Sequence, residues 1–213
     1  MRLRKKPWIT EAIKEYRHFV FLDPGAEVCG QWAGLFGRKA PLHVELGTGK
    51  GRFISALAAR HPEINFVGIE AQQDVVYYAA QKVQEQNLAN VRLLVFDINN
   101  ITDIFAEGEV DRFYINFCDP WPKARHAKRR LTHSGFLAKY RRLLSAGGKL
   151  YFKTDNRPLF DFSLEQFEQN GLAVDHIVYN LHKVSGEENI MTEYEAKFSK
   201  LGVKINRCEV FFP

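Results

Sequence analysis

From residue 41 onward, short apolar runs alternate with stretches of helical spacing. "LHVEL" (42–46) is a compact apolar run ending in glycines, the pattern of a buried strand. "GRFISALAARHP" (51–62) repeats its apolar positions at helical intervals and stops at a proline. The same reading predicts strands at 65–70, 91–97, 111–117, 149–155, 173–181 and 204–212. It predicts helices at 73–87, 134–148, near 158–170 and at 193–201. Residues 1–40 carry no comparable rhythm beyond a short helix around "TEAIKEYRHF". Strands that alternate with helices imply parallel βαβ units. The expected fold is therefore α/β, with a doubly wound, mostly parallel, Rossmann-like sheet of seven strands. The expected organisation is a basic extension over 1–40, packed on or flanking a single domain over 41–213.

Such sheets bind ligands beyond the carboxyl ends of their strands, so residues just after strands are the place to look. "VELGTGKG" (44–51) joins the first of these strands to a helix. Gly47, Gly49 and Gly51 allow a tight turn and a close backbone approach to a ligand. A dinucleotide fingerprint would need G-x-G-x-x-G, but Arg52 stands where its third glycine would be. Glu45 would also repel a pyrophosphate. S-adenosyl-L-methionine, with its sulfonium and amino group, suits the loop better, and NAD is the second choice. Glu70 ends the next strand, where an acid accepts hydrogen bonds from ribose hydroxyls. Asp97 ends the third strand and is a candidate acceptor for the adenine amino group.

Composition adds a partner. The 213 residues carry a formal net charge of +5, concentrated at "RLRKK" (2–6) and "KARHAKRR" (123–130). The second run adjoins a stiff corner, "DPWP" (119–122), and is expected to meet nucleic acid. Asp119 follows the fourth predicted strand and should face the crevice. Pro120 and Pro122 remove backbone freedom on either side of Trp121, which is a candidate for the core. Amino-group methyltransferases carry an Asn/Asp-Pro-Pro-aromatic corner here; this chain exchanges the aromatic and the second proline. Cys118 reads as a small buried side chain and not as a nucleophile.

The three cysteines lie far apart and show neither metal spacing nor a disulfide framework, which fits a reducing cytoplasm. No apolar run is long enough to cross a membrane, and no secretory signal is expected. No metal site is expected.

"DPWPKARHAKRRL" (119–131) resembles the signature of the single-subunit bacterial tRNA (guanine-N7-)-methyltransferase family. The likeness runs through "VELGTGKG", "GIE", "FCDPWPK", "KTD" (153–155) and "TEYE" (192–195) to the C-terminus, and is weakest over 1–40. It implies a class I methyltransferase fold whose last strand is antiparallel. It implies methyl transfer from S-adenosyl-L-methionine to N7 of the guanosine at tRNA position 46, in the variable loop. Glu45, Glu70, Asp97 and Asp119 would line the cofactor site, with Asp119 catalytic. Lys123, Asp155, Thr192, Glu193, Tyr194 and Glu195 would contact the guanosine. Arg125, His126, Lys128, Arg129 and Arg130 would touch RNA. Ala124 departs from the lysine more common in the family. Thr192 and Glu195 also have the spacing of a capping box. An amino-group RNA methyltransferase and a silent RNA-binding module stay open as alternatives, and so does a homodimer.

Overall fold

The computed structural model describes residues 6–184 and 189–213. Most of the basic run at 2–6 therefore lies outside the described residues. The chain forms two compact units, residues 1–104 and 105–213. Among the described residues there are eight strands, β1 to β8, and not the seven expected.

In the first unit the strands are β1 (Val20–Leu22), β2 (Leu42–Leu46), β3 (Asn65–Glu70) and β4 (Val91–Val95). They lie in the order β1-β4-β3-β2, every neighbouring pair parallel. All five residues of β2 are buried, as expected of a strand covered on both faces. Within residues 1–40, α1 (Ile9–Ala12) runs into a 3-10 turn, and β1 pairs with β4 through Val20↔Leu93. Helix α2 (Trp32–Phe36) follows, and the buried indole of Trp32 donates to the Ile104 carbonyl at 2.9 Å. The segment expected to be largely irregular thus supplies a strand. Its three-residue run is too short to show any period. Helix α3 (Arg52–Arg60) turns Phe53, Ile54, Leu57 and Ala58 inward. Helix α4 (Gln73–Glu85) buries Val75, Val76, Tyr77, Ala79, Ala80 and Val83.

The second unit holds β5 (Val110–Asn116), β6 (Leu144–Thr154), β7 (Ala173–Val178) and β8 (Asn206–Phe211), in the order β5-β6-β8-β7. β5 and β6 are parallel, and β8 is antiparallel to both of its neighbours, as expected of the last strand. Helix α5 (Ser134–Leu143) ends five residues before the predicted stop at 148. Leu144 already pairs with Val110, and the next partners are Arg112 and Lys149. "SAGG" is therefore a bulge in β6, and not the cap of a helix. Helix α6 (Arg157–Gln169) starts on Asn156, whose side chain accepts from Leu159 N at 2.8 Å, with Pro158 in the first turn. Helix α7 (Glu193–Phe198) passes into a 3-10 turn over 199–201.

Candidate active site

In the first unit the glycine loop is shaped by its backbone. Gly47, Gly49 and Gly51 all have left-handed φ, at 81°, 55° and 79°. Gly47 N and Thr48 N both donate to the Ile69 carbonyl at 2.9 Å, which curls the loop over the end of β3. A Cβ added at Gly47 or Gly49 would meet no atom within 4 Å, so both face open space. At Gly51 it would lie 2.8 Å from the Ala79 Cβ, so this glycine is required for α3 to approach α4.

Three acids stand along the carboxyl edge of the strands. Glu45, in β2, is only 3% exposed, and its carboxylate accepts from the Thr48 hydroxyl at 2.7 Å. Glu70 ends β3 and accepts from Gln72 N at 3.1 Å. Asp97 lies just past β4, exposed, and caps a 3-10 turn by accepting from Asn99 N at 2.9 Å. The pairings Leu46↔Ile69 and Glu70↔Val95 bring these strand ends level. Acids at one edge, above glycines with free space, suit a ligand rich in hydroxyl and amino donors. They do not suit a phosphate.

In the second unit, β5 ends at Asn116 and the chain bends sharply. Phe117 takes φ 53°, and its N–H donates to the Lys153 carbonyl at 2.9 Å. Trp121 takes φ 42° between its two prolines. A left-handed aromatic costs of order 1–3 kcal/mol and persists only where its surroundings hold it, commonly at functional sites. Asp119, between these two bends, is exposed. Desolvation, with Asp119 beside it, pushes the Cys118 thiol up to about 12, so it stays protonated and is a poor nucleophile. Trp121 is half-buried. The Arg129 guanidinium sits 4.8 Å from its ring centroid, and the His126 ring meets it edge-on at 5.8 Å.

Lys123, Arg125, Lys128 and Arg129 are exposed, on or just before a 3-10 turn at Ala124–Arg129. Arg130 turns away from them and donates to the carbonyls of Pro120 and Trp121.

Asp155, past the end of β6, accepts from the Tyr194 hydroxyl at 2.8 Å. Desolvation and this carboxylate push the Tyr194 hydroxyl up to about 12. The Tyr194 ring stacks on Phe198, with centroids 4.1 Å apart. Thr192 caps α7 by accepting from Glu195 N at 3.0 Å, one half of the capping box expected from "TEYE". Glu195 does not supply the other half. Its side chain is 0% exposed; Oε2 accepts from Lys153 Nζ at 2.8 Å and Oε1 accepts from Asn189 Nδ2. His182 Nε2 lies 3.5 Å from the same Oε1. Lys153 also donates to Asn189 Oδ1 and the Ile190 carbonyl, each at 3.0 Å. The Glu195 carboxylate, expected to contact the guanosine, is thus occupied by Lys153 and Asn189 within the fold. Phe117 and Lys153 are not among the residues that the sequence points to, although "KTD" contains the lysine. A lysine inside an otherwise apolar strand run is the available signal.

Among the described residues, no group of three or more His, Cys, Asp or Glu side chains could hold a metal ion. Among the same residues, no helix is long and apolar enough to cross a membrane.

Residues 39–208 match a family model described as putative methyltransferase. The tRNA (guanine-N(7)-)-methyltransferase of Bacillus subtilis (strain 168) is 49% identical over 210 residues, covering 99% of this chain and 98% of that protein. The enzyme of the same name from Oceanobacillus iheyensis is 47% identical over 212 residues, covering 100% and 99%. Among solved structures, the 16S rRNA methyltransferase KamB superposes with a TM-score of 0.66 over 86% of this chain and 94% of its own, at 12% identity, a likeness of fold. Sequence identity of this extent over the whole chain, with the glycine loop, the strand-end acids and the D-P-W-P corner in place, means that the chain belongs to the tRNA (guanine-N(7)-)-methyltransferase family.

Proposed function

We propose that this protein transfers a methyl group from S-adenosyl-L-methionine to N7 of the guanosine at position 46, in the variable loop of tRNA. Enzyme class and cofactor follow from family membership: it is an S-adenosylmethionine-dependent tRNA (guanine-N7-)-methyltransferase. The target position and the residue roles are our reading. The observation that carries it is Asp119, held exposed between two left-handed aromatic residues and followed at once by exposed cations.

The first unit fits the cofactor. Glu45 is a buried carboxylate at the foot of the loop, Glu70 and Asp97 supply acceptors, and Gly47 and Gly49 leave space above the backbone. Bound, S-adenosylmethionine supplies a methyl group activated on a sulfonium. The second unit receives the nucleoside and the RNA. Guanine N7 carries an in-plane lone pair and no proton, so no general base is needed. Asp119 accepts hydrogen bonds from the N–H edge of the base and offsets the positive charge that develops on the ring. Tyr194, locked by Asp155 below and Phe198 beside it, offers a rigid aromatic face with Thr192 and Glu193 adjoining. Glu195 serves this site by fixing α7. Lys123, Arg125, His126, Lys128 and Arg129 meet phosphates.

Mass mapping of nucleosides after incubating unmodified tRNA with enzyme and donor tests this. The expected product is one 7-methylguanosine, at position 46. A tRNA with 7-deazaguanine there should bind and accept no methyl group. Asp119→Asn should lower turnover by about 10²–10³-fold, the scale of removing one donor or acceptor aimed at the transition state, with tRNA binding little changed. Methylation on an exocyclic amine, or full turnover by Asp119→Asn, would overturn the reading.

A further inference from the structure

Among the lysines and arginines of the basic run, one behaves unlike the others. Arg130 is half-buried, while Lys123, Arg125, Lys128 and Arg129 are exposed. Its Nε donates to the Pro120 carbonyl at 3.2 Å and the Trp121 carbonyl at 3.3 Å, and its Nη2 donates to the Trp121 carbonyl at 3.0 Å. The guanidinium also packs against α6, 4.2 Å from the centroid of the Phe162 ring. We infer that Arg130 is a positioning residue that clamps the Asp119 corner, and that it does not bind phosphate. The inference rests on the role proposed above for Asp119.

The physical case begins with what the corner lacks. Pro120 and Pro122 have no N–H, so this stretch can donate little to any neighbouring strand. Its carbonyls still need donors. Trp121 is held at φ 42°, a conformation an aromatic residue leaves unless something retains it. A guanidinium suits the task because its planar fork presents several N–H donors in fixed directions and its face stacks on an aromatic ring. A lysine would offer a point charge on a flexible stem and could not reproduce the fork. The clamp closes over Pro120 and Trp121, the two residues immediately after Asp119. Its release would let the carboxylate drift from the base. Misplacement of about 1 Å in an active site costs up to about a hundredfold in rate. The same three bonds occupy Arg130 with protein acceptors. Its charge is thereby committed to the backbone, which leaves Arg129 and the other exposed cations for RNA.

The test compares Arg130→Ala, Arg130→Lys and Arg129→Ala in the full chain. Single-turnover methylation is measured at saturating tRNA, and tRNA affinity is measured across salt. For Arg130→Ala the expected result is a fall in turnover of between about tenfold and a hundredfold. Its log–log salt slope should match the wild type. Ethylguanidinium added at millimolar concentration should restore part of the missing turnover, while Arg130→Lys should stay impaired despite keeping the charge. Arg129→Ala should flatten the salt slope, which Arg130→Ala should not. Equal turnover in Arg130→Ala, a flattened slope, or no rescue by ethylguanidinium would each overturn the inference. Should Arg130→Ala fail to fold, Arg130→Lys decides: turnover equal to wild type overturns the clamp and impaired turnover with an unchanged slope supports it. A wild type that makes no 7-methylguanosine would instead defeat the functional reading, so the two failures are separable.

Discussion

The acids of the first unit and three side chains of the second, Tyr194, Lys153 and Arg130, are fastened in different ways. Glu45, Glu70 and Asp97 each accept a hydrogen bond from a residue two or three positions further along. In the second unit, Tyr194 reaches back 39 residues to Asp155, and Lys153 reaches 42 residues forward to Glu195. Arg130 returns nine and ten residues to hold Trp121 and Pro120. A bond of this span closes within a single loop. Long-range fastening exists only when the unit is folded, and it closes chain loops whose entropy must be met by the interactions they make. The first arrangement should therefore separate binding from stability, and the second should join them.

The largest effect expected from that difference is at Lys153. Its ammonium holds Glu195, the Asn189 side chain and the Ile190 carbonyl in a buried place. Lys153→Met fills similar space and leaves Glu195 without its cation. Removing one partner from a buried pair costs about 3–5 kcal/mol, because the remaining charge stays desolvated. Denaturant unfolding of the variant should show this drop in stability, and methylation should fall with it as α7 loosens. Adding Glu195→Leu should recover much of the stability without recovering turnover. A melt unchanged in Lys153→Met would break the comparison, since the second unit would then tolerate removal of its buried long-range ion pair.

The same distinction explains what is legible in the chain. Strands β2 to β5 fall within two residues of their predicted ends, since each is an apolar run closed by glycine or polar residues. Their order along the chain gives the α/β fold, and the acids at their ends follow from it. Strand β1 is not legible: "VFL" is stabilised by pairing with β4, and not by any pattern of its own. The end of α5 is hidden because Leu143 and Leu144 continue its apolar spacing, while only the pairing with Val110 shows that Leu144 belongs to β6. Arg130 is indistinguishable from its basic neighbours in the sequence, because composition counts charges and does not show which way they turn. The spacing of Glu195 suggests a cap for the same reason: i,i+3 spacing describes one turn, whereas its true partner is a lysine on a strand. Local features are legible and remote partners are not.

At Glu70 the comparison predicts the opposite behaviour to Lys153. The side chain ends β3, half-buried, and accepts from the backbone of Gln72 two residues away. Glu70→Ala should weaken S-adenosylmethionine binding by about 1–3 kcal/mol, the cost of leaving ligand hydroxyls without an acceptor. The unfolding midpoint should move far less than in Lys153→Met. Isothermal calorimetry on the variant checks the first statement and a denaturant melt the second. Unchanged affinity would remove Glu70 from the cofactor site, and a large drop in stability would show that the first unit is not fastened locally after all.

The smallest effect is expected at Arg129, and it sharpens the contrast inside the second unit. Arg129 is exposed and rests on the Trp121 ring at 4.8 Å, where Arg130 instead grips the backbone. An exposed cation–ring interaction of this kind is worth about 0.5–1 kcal/mol, little enough for the guanidinium to turn toward a phosphate when RNA arrives. Removing one phosphate interaction should change the slope of log affinity against log salt by about 0.7–0.9. Arg129→Ala should therefore flatten the tRNA salt dependence by about that amount, with donor affinity and melting temperature close to wild type. Arg129→Lys keeps the charge and should keep the slope, although it gives up the planar group that rests on Trp121. The pair of variants separates the phosphate role from the ring interaction. If Arg129→Ala leaves the slope unchanged, the exposed face of the 3-10 turn is merely solvated. The RNA must then be held by other cations, and the division between an inward-turned Arg130 and an RNA-facing Arg129 fails.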